Sequence, residues 1–140
     1  MERIIDAADC IVGRVAAQAA KSALMGDTIH ILNCEKAIVS GNKVSVFARS
    51  DQAFKRTGQP TKGPFMQRRC DRYVRRIVTR MLPRARARGQ DAERRVLCYI
   101  GVPKAFEGKK VESIEGSHKS KLPSYRFVTI AQICARGGLS

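Results

Sequence analysis

The chain has 140 residues and carries 27 lysines and arginines against 12 acidic residues, a net charge of +15. An excess of this size predicts a polyanionic partner, either a nucleic acid or, as the alternative, an anionic membrane surface. Neither a run of about 18 apolar residues nor a signal-peptide pattern is present, so we expect a soluble, intracellular protein.

The cysteines and histidines show no metal-binding or catalytic spacing. The five cysteines stand at least 24 positions apart, without a C-x-x-C pair: Cys10, Cys34, Cys70, Cys98 and Cys134. His30 and His118 are isolated from each other and from any acidic or nucleophilic residue at a recognisable spacing. We therefore expect reduced, mostly buried thiols and neither a metal site nor a catalytic group.

The first 35 residues predict a strand, a helix and a second strand. The apolar pair Ile4-Ile5 within residues 3–6, helical spacing from Val12 to Gly26 and a β-branched run at residues 28–32 indicate a right-handed parallel βαβ unit. The turn after the first strand contains one glycine, Gly13, and not G-x-G-x-x-G, which argues against a dinucleotide-binding enzyme. Because this part has a net charge of −2, we expect it to form the scaffold of the protein and not to contact the polyanion.

Residues 36–66 carry a net charge of +5 and predict a basic helix followed by a loop. Asn33 and Ser40 are the candidate helix starts around a short apolar run. Beyond Ser40, the expected apolar stripe consists of Val44, Phe47, Ala48 and Phe54, and the other side presents Lys43, Arg49 and Lys55. The loop at residues 58–64 is rich in glycine and proline and could approach a phosphate closely.

Residues 68–95 hold more than half of the net charge, with eleven arginines against three acidic residues, a net +8. A helix over residues 70–82, ending before Pro83, is predicted by one apolar face: Cys70, Tyr73, Val74, Ile77, Val78 and Met81. Four arginines on its other faces have no acidic residue three or four positions later in the sequence. They are Arg72, Arg75, Arg76 and Arg80. Because arginine binds phosphates bidentately and stacks on bases, this surface predicts nucleic-acid binding and not an ordinary solvated face.

The segment at residues 84–89 alternates arginine with alanine and closes at Gly89. We expect a loop without core contact that is mobile until RNA neutralises it, while the preceding helix positions the protein. A short helix is expected from Asp91 through Arg95, followed by a buried strand at residues 96–100.

The remaining residues predict an extension of a single domain that covers residues 1–140. Residues 106–124 are polar and are expected to form an exposed, extended connector. Residues 125–140 are expected to add an edge strand at 125–128 and a helix that begins with a capping box at Thr129 and stops at Gly137.

A set of short motifs follows a fixed order along residues 3–103. They are IDA at 5–7, GRVA at 13–16, NCEK at 33–36, SGNK at 40–43, KRTG at 55–58, MLP at 81–83, RG at 88–89 and LCYIG at 97–101. Their order and spacing together resemble the archaeal form of the universal large-subunit ribosomal protein thirteen family, as does RFVTI at 126–130. Arg80 stands where the family commonly has a glycine, and residues 102–104 replace a histidine-containing segment of bacterial members.

The resemblance implies a three-layer α/β/α fold with a small, mainly parallel four-stranded sheet, Rossmann-like in order but without the nucleotide fingerprint. It also implies a non-enzymatic, cytoplasmic constituent of the large ribosomal subunit. Such a protein binds the large-subunit rRNA, supports early subunit assembly and contacts neighbouring ribosomal proteins. No cofactor, metal, membrane, small-molecule substrate or obligate homo-oligomer is expected.

The predicted RNA-binding set comprises the sixteen basic residues between positions 43 and 95. They are Lys43, Arg49, Lys55, Arg56, Lys62, Arg68, Arg69, Arg72, Arg75, Arg76, Arg80, Arg84, Arg86, Arg88, Arg94 and Arg95. A nucleotide-dependent enzyme and a sequence-specific DNA-binding protein remain as alternatives. The first lacks the glycine fingerprint, and the second lacks a helix-turn-helix or zinc pattern.

Overall fold

The computed structural model describes residues 1–56, 61–63 and 65–138, and in this part of the chain it shows five strands and five helices. The strands are β1 (Glu2–Asp6), β2 (Thr28–Leu32), β3 (Ile38–Ser40), β4 (Val96–Cys98) and β5 (Phe127–Thr129). The helices are α1 (Val12–Met25), α2 (Lys43–Lys55), α3 (Cys70–Arg80), α4 (Ala87–Arg94) and α5 (Ile130–Arg136). Short 3-10 turns lie at Cys34–Lys36, Lys104–Phe106 and Lys119–Lys121. None of the described helices is long and apolar enough to cross a membrane.

One sheet is parallel and has the strand order β1-β2-β4, with Ile4 opposite His30 and Ile31 opposite Cys98. The mixed α/β class with a small, mainly parallel sheet is thereby confirmed. The prediction of four strands in one sheet is wrong for the described residues, because β3 and β5 form a separate antiparallel pair. Only a 3-10 turn separates β2 from β3, whereas a parallel crossover needs about ten or more residues, so β3 cannot return beside β2.

The two faces of the parallel sheet are covered differently. Side chains alternate along β2, so that Ile29 and Ile31 join the main core while Leu32 joins a smaller cluster with Ile4 and Phe106. α1, α3 and α4 pack on the face of the main core. The small cluster on the other face is closed by Phe106 from the 3-10 turn Lys104–Phe106. The three-layer arrangement is therefore not confirmed within the described residues.

The first helix ends where the sequence predicts. Gly26 follows α1 in the left-handed conformation, with φ of 109°, and its N–H donates to the Ala23 carbonyl. Neither candidate start of the second helix is its cap: Ser40 ends β3, and the Asn42 side chain accepts a hydrogen bond from the Val44 N–H instead. The local pattern around residues 37–39 did not reveal β3, because that strand is defined by its pairing with β5, which lies far away in the sequence.

The buried stripe of α2 is shifted from the predicted one. Phe47 and Phe54 pack against the core as expected, together with Val46 and the buried Ser50, but Val44 is 75% exposed. The stripe follows the side of α2 that contacts β5 and α5, which local spacing does not reveal.

Residues 106–121 run along the outer edge of β1 and over the start of α1. The Glu112 N–H donates to the Ile4 carbonyl at 2.8 Å, and the Ile11 N–H donates to the Ser117 carbonyl at 2.6 Å. Arg3 donates two hydrogen bonds to the Glu112 carboxylate at 2.7 and 3.0 Å. Most side chains of this segment are exposed, while Phe106 and Ser117 are buried.

Candidate nucleic-acid interface

The helix α3 presents arginines to solvent from a buried apolar face. Val74 and Val78 are fully buried, and Cys70, Tyr73 and Ile77 pack against the core beside them. Burial raises the pKa of Tyr73, so its hydroxyl stays neutral beneath the arginines. The predicted helix is confirmed, but it ends at Arg80 and not at residue 82, and Met81 of the predicted apolar face is 45% exposed. Since that face is anchored, the arginines on the remaining faces are held in a fixed register.

The segment after Pro83 differs from the prediction of a loop over residues 84–89. Helix α4 begins at Ala87 and includes Arg88 and Gly89. Gly89 and Ala92 are buried, and a Cβ atom at Gly89 would lie 2.1 Å from the Pro83 carbonyl oxygen. The small residues let α4 pack closely against the preceding turn, which gives the segment the tertiary contact that its charge pattern does not suggest.

Helices α3 and α4 enclose a groove of about 660 Å³, which we call the arginine groove. It is lined by Gln67, Arg72, Arg75, Arg76, Thr79, Arg80, Arg84 and Glu93. Five arginines against one carboxylate give the lining a net charge of +4. The structure thus brings together five of the sixteen predicted residues, drawn from a helix and from the turn after it.

Three of the groove arginines are held by hydrogen bonds or an ion pair. Arg75 donates to the Glu93 carbonyl at 3.3 Å, and Arg76 donates to the Phe65 carbonyl at 2.7 Å. The Arg84 Nε lies 3.4 Å from the Glu93 carboxylate, which also accepts a hydrogen bond from Thr79 at 3.4 Å. Each of these arginines keeps further N–H donors for a ligand.

Arg72 and Arg80 differ from the other three. Both are exposed, and their guanidinium groups form no hydrogen bond or ion pair with the residues that the structure describes. They lie two helical turns apart on α3, on either side of Arg76. Two uncompensated guanidinium groups at this spacing repel one another and their neighbours unless an external anion binds between them.

The other arginines of residues 68–95 lie outside the groove. Arg88 and Arg95 donate to the Leu24 and Ala23 carbonyls at 3.2 and 3.4 Å. Those carbonyls belong to the last turn of α1, where a cation is also favoured by the helix dipole. Two more form exposed ion pairs, Arg69 with Asp71 at 3.1 Å and Arg94 with Asp91 at 3.5 Å, and Arg68 and Arg86 are exposed.

The basic residues of α2 do not converge on the arginine groove. Lys43 lies 5.9 Å from the centre of the Phe47 ring, and Lys55 acts electrostatically on Asp51. Arg49 lines a second cavity of about 410 Å³ between α2 and α3, where Arg80 is its one neighbour from the arginine groove. Arg56 and Lys62 are exposed, and most of the predicted phosphate-approaching loop, residues 58–60 and 64, lies outside the described residues.

Charge counting missed three residues at the groove. Gln67 and Thr79 line it but are uncharged, and Glu93 reaches it from α4. The position of Thr79, three residues after Arg76, was a usable signal because both lie on one helical face. No local signal indicates Glu93, since its contact with Thr79 depends on how α4 folds back.

The edge of the sheet at which a Rossmann fold binds a nucleotide is closed here. The Asp6 carboxylate accepts hydrogen bonds from the Ala8 N–H and the Asn33 side chain, both at 2.9 Å. Residues 117–119 cover the start of α1 through Ser117 and the pairing of His118 with Cys10. A pyrophosphate would meet a carboxylate and a covered helix N-terminus, and no described group of three His, Cys, Asp or Glu side chains could hold a metal.

Comparison with known proteins gives a consistent result. The family described as "Ribosomal protein L13" matches residues 1–105. The "Large ribosomal subunit protein uL13" of Methanococcoides burtonii is 38% identical over 135 residues, which cover 96% of both chains. Its counterpart in Archaeoglobus fulgidus is 37% identical over 93% of this chain and 83% of its own, and that of Haloarcula marismortui is 33% identical over 93% and 86%. The chain therefore belongs to the ribosomal protein L13 family, a family of structural and not enzymatic proteins.

Proposed function

We propose that the protein is a structural constituent of the large ribosomal subunit and binds large-subunit rRNA through the arginine groove. The observation that carries the proposal is the convergence of five arginines on one groove with a single carboxylate. The relatives named above are large ribosomal subunit proteins, which supports rRNA as the polyanion. In this reading Arg72 and Arg80 are the primary phosphate contacts, because neither is engaged within the described residues.

The groove suits a phosphate backbone chemically. A guanidinium group presents a planar fork of donors to two phosphate oxygens, and several such groups in register contact successive phosphates. Glu93 limits the repulsion between Arg84 and its neighbours before RNA arrives. The helix α3 would then set the protein's position on the RNA, since its apolar face is fixed in the core.

The remaining predicted residues extend this surface in the proposal. The other basic residues would contact flanking phosphates: Arg68, Arg69, Arg86, Arg94, Lys43, Arg49, Lys55, Arg56 and Lys62. Arg88 and Arg95 contribute charge from fixed positions at the end of α1. A surface of this extent, in contact with rRNA and neighbouring ribosomal proteins, would support early assembly of the subunit.

The test is the salt dependence of binding to transcribed large-subunit rRNA. Each phosphate that a cation neutralises contributes about 0.7 to 0.9 to the slope of log affinity against log salt concentration. Arg72→Ala and Arg80→Ala should each lower the slope by roughly one unit or less and weaken binding. Lys21→Ala removes the same charge from the exposed side of α1 and serves as the control.

Two results would contradict the proposal. Slopes that stay unchanged in both arginine variants would exclude the arginine groove as the contact surface. An equal loss in Lys21→Ala would show that net charge, and not the groove, determines affinity. Incorporation of each variant into large subunits gives the matching readout for assembly.

A further inference from the structure

An exposed aromatic residue lies beside the arginine groove. Phe65 is 66% exposed, and its main-chain carbonyl accepts the hydrogen bond from Arg76 at 2.7 Å. The guanidinium group of a groove-lining arginine therefore fixes the backbone of Phe65 at the rim of the groove. Gln67, two residues after Phe65, is part of the lining.

Arginines with unused N–H donors follow one another along α3 next to this contact. Arg76 uses one donor on the Phe65 carbonyl, and Arg72 and Arg80 lie one helical turn before and after it on α3. A ligand that contacts Arg76 would lie near residue 65, whose side chain is exposed. A phosphate group does not stack on an aromatic ring, whereas a nucleotide base does.

We propose that the arginine groove selects RNA with an unpaired nucleotide, whose base stacks on Phe65 while the adjoining phosphates contact the arginines. The inference rests on the proposed function and adds the RNA class that the site takes. Bases within an A-form duplex are stacked on each other, so an exposed ring can reach only a base in a bulge, loop or end. Stacking on an aromatic side chain tolerates any base, and the Gln67 amide offers a hydrogen bond to a base edge.

The combination of ring and charge distinguishes Phe65 from the other exposed aromatic residue. Tyr125 is 90% exposed, and no arginine of the groove hydrogen-bonds to it among the described residues, whereas Arg76 donates to the Phe65 carbonyl. It supplies a matched control, because its replacement removes an exposed ring from another part of the surface. Both positions are exposed enough that their substitution should leave the fold intact.

The test uses the full chain and transcribed large-subunit rRNA, with Phe65→Leu, Phe65→Trp, Tyr125→Leu and Arg72→Ala. Phe65→Leu keeps an apolar side chain but removes the π face, so affinity should fall by about fivefold or more with the salt slope unchanged. Phe65→Trp and Tyr125→Leu should bind as the wild type does. Ultraviolet crosslinking should join Phe65 to a nucleotide that is unpaired in the rRNA.

The outcomes separate this inference from the function on which it rests. If Arg72→Ala lowers the salt slope but Phe65→Leu binds as tightly as the wild type, the groove binds RNA and the stacked base is wrong. If Phe65→Leu binds rRNA normally but is lost from assembled subunits, the ring contacts a neighbouring protein and the inference is overturned. If Arg72→Ala and Arg80→Ala both leave the slope unchanged, the arginine groove is not the contact surface and the proposed function itself fails.

Discussion

At the scale of single residues, the arginines of this protein have two distinct uses. Arg88 and Arg95 donate to carbonyls at the end of α1, so their charges are part of the internal hydrogen bonding. Arg72 and Arg80 have no such role among the described residues and remain open to a ligand. Substitution should therefore affect stability at the first pair and RNA affinity at the second.

Substitution of Gly89 tests whether the stability of the protein depends on the close contact between α4 and Pro83. In the middle of a helix, glycine to alanine normally stabilises by up to about 1 kcal/mol. At Gly89 the new Cβ would lie 2.1 Å from the Pro83 carbonyl oxygen, so Gly89→Ala should destabilise by about 1–3 kcal/mol instead. Denaturant unfolding measures the difference.

The control for this substitution is Gly13→Ala in α1, where a Cβ meets nothing within 4 Å. It should be neutral or stabilising by up to about 1 kcal/mol. If both variants gain stability, α4 is not held against Pro83 as the structure shows.

The fold should protect the buried cysteines Cys34 and Cys134 from alkylation. A hydrogen bond with the Cys98 thiol and burial raise the pKa of Cys34, and burial raises the pKa of Cys134. Because the thiolate is the reacting form, iodoacetamide at pH 8 should modify both far more slowly in the folded protein than in guanidinium. Mass spectrometry of the modified peptides gives the rates, and equal rates in both states would contradict the burial of these thiols.

At the scale of elements, a polar contact between Arg136 and Asp51 joins α5 to α2. Arg136 of α5 donates to the Asp51 carboxylate of α2 at 3.1 Å from its Nε and through a second, closer hydrogen bond from Nη2. The same guanidinium group lies 4.6 Å from the centre of the Phe47 ring. These contacts hold α5, whose start is fixed by the predicted capping box of Thr129 and Gln132, against the rest of the protein.

This contact should make stability depend on acid pH. The hydrogen-bonded Arg136 holds the pKa of Asp51 below its ordinary value, so the contribution is present above about pH 4, the unfolded pKa, and is lost as the pH falls through the folded pKa. Asp51→Asn should be less stable than the wild type at neutral pH, and the difference should disappear in acid. Urea unfolding at a series of pH values measures it.

Arg136→Gln removes the other partner of the same contact. Its effect should be at least that of Asp51→Asn, because the contact with the Phe47 ring is lost as well, and the double variant should lose no more than Arg136→Gln alone. Fully additive losses would show that the two residues do not act as a pair.

At the scale of the whole molecule, the strongly basic residues and the residues of the supporting scaffold lie in different parts of the chain. Residues 1–35 carry a net charge of −2 and form β1, α1 and β2, whereas residues 68–95 carry +8 and form the arginine groove. Residues 106–121 cross the scaffold side by hydrogen bonds to β1 and α1. The basic surface is thereby left uncovered by this segment.

The connector should be held to the scaffold by Glu112. Its carboxylate accepts both hydrogen bonds from Arg3, which also donates to Ser22 of α1 at 2.8 Å. Glu112→Ala should speed tryptic cleavage at the lysines of residues 109–121, because local opening governs cleavage of ordered segments. Peptide mapping over time measures the rate.

Glu115→Ala is the matched control on the same segment. Its side chain is exposed and forms no hydrogen bond or ion pair with the residues that the structure describes. Cleavage that is equally fast in both variants would mean that loss of a charge, and not loss of the Arg3 contact, opens the segment.

Predictions from the sequence were correct where the residues that determine a structural feature lie close together in the sequence. The apolar spacing of α3, the glycine after α1 and the capping box of α5 each involve residues within a few positions of one another. The mispredicted features depend on distant partners. β3 was missed because its partner β5 lies about ninety residues later, and residues 87–89 were assigned to a loop because the helix that contains them is held to the distant end of α1, as in the hydrogen bond from Arg88 to the Leu24 carbonyl.

The sequence alone determined the βαβ start, the amphipathic α3, the ribosomal resemblance and the sign of the expected partner's charge. Tertiary structure alone decided that β3 leaves the parallel sheet, that α4 packs against Pro83, and which arginines converge on a groove. The reason is that periodicity and net charge are local or summed properties of a chain. Whether a guanidinium group meets a carbonyl of α1, as Arg88 does, or remains open, as Arg72 does, depends on contacts between segments far apart in sequence.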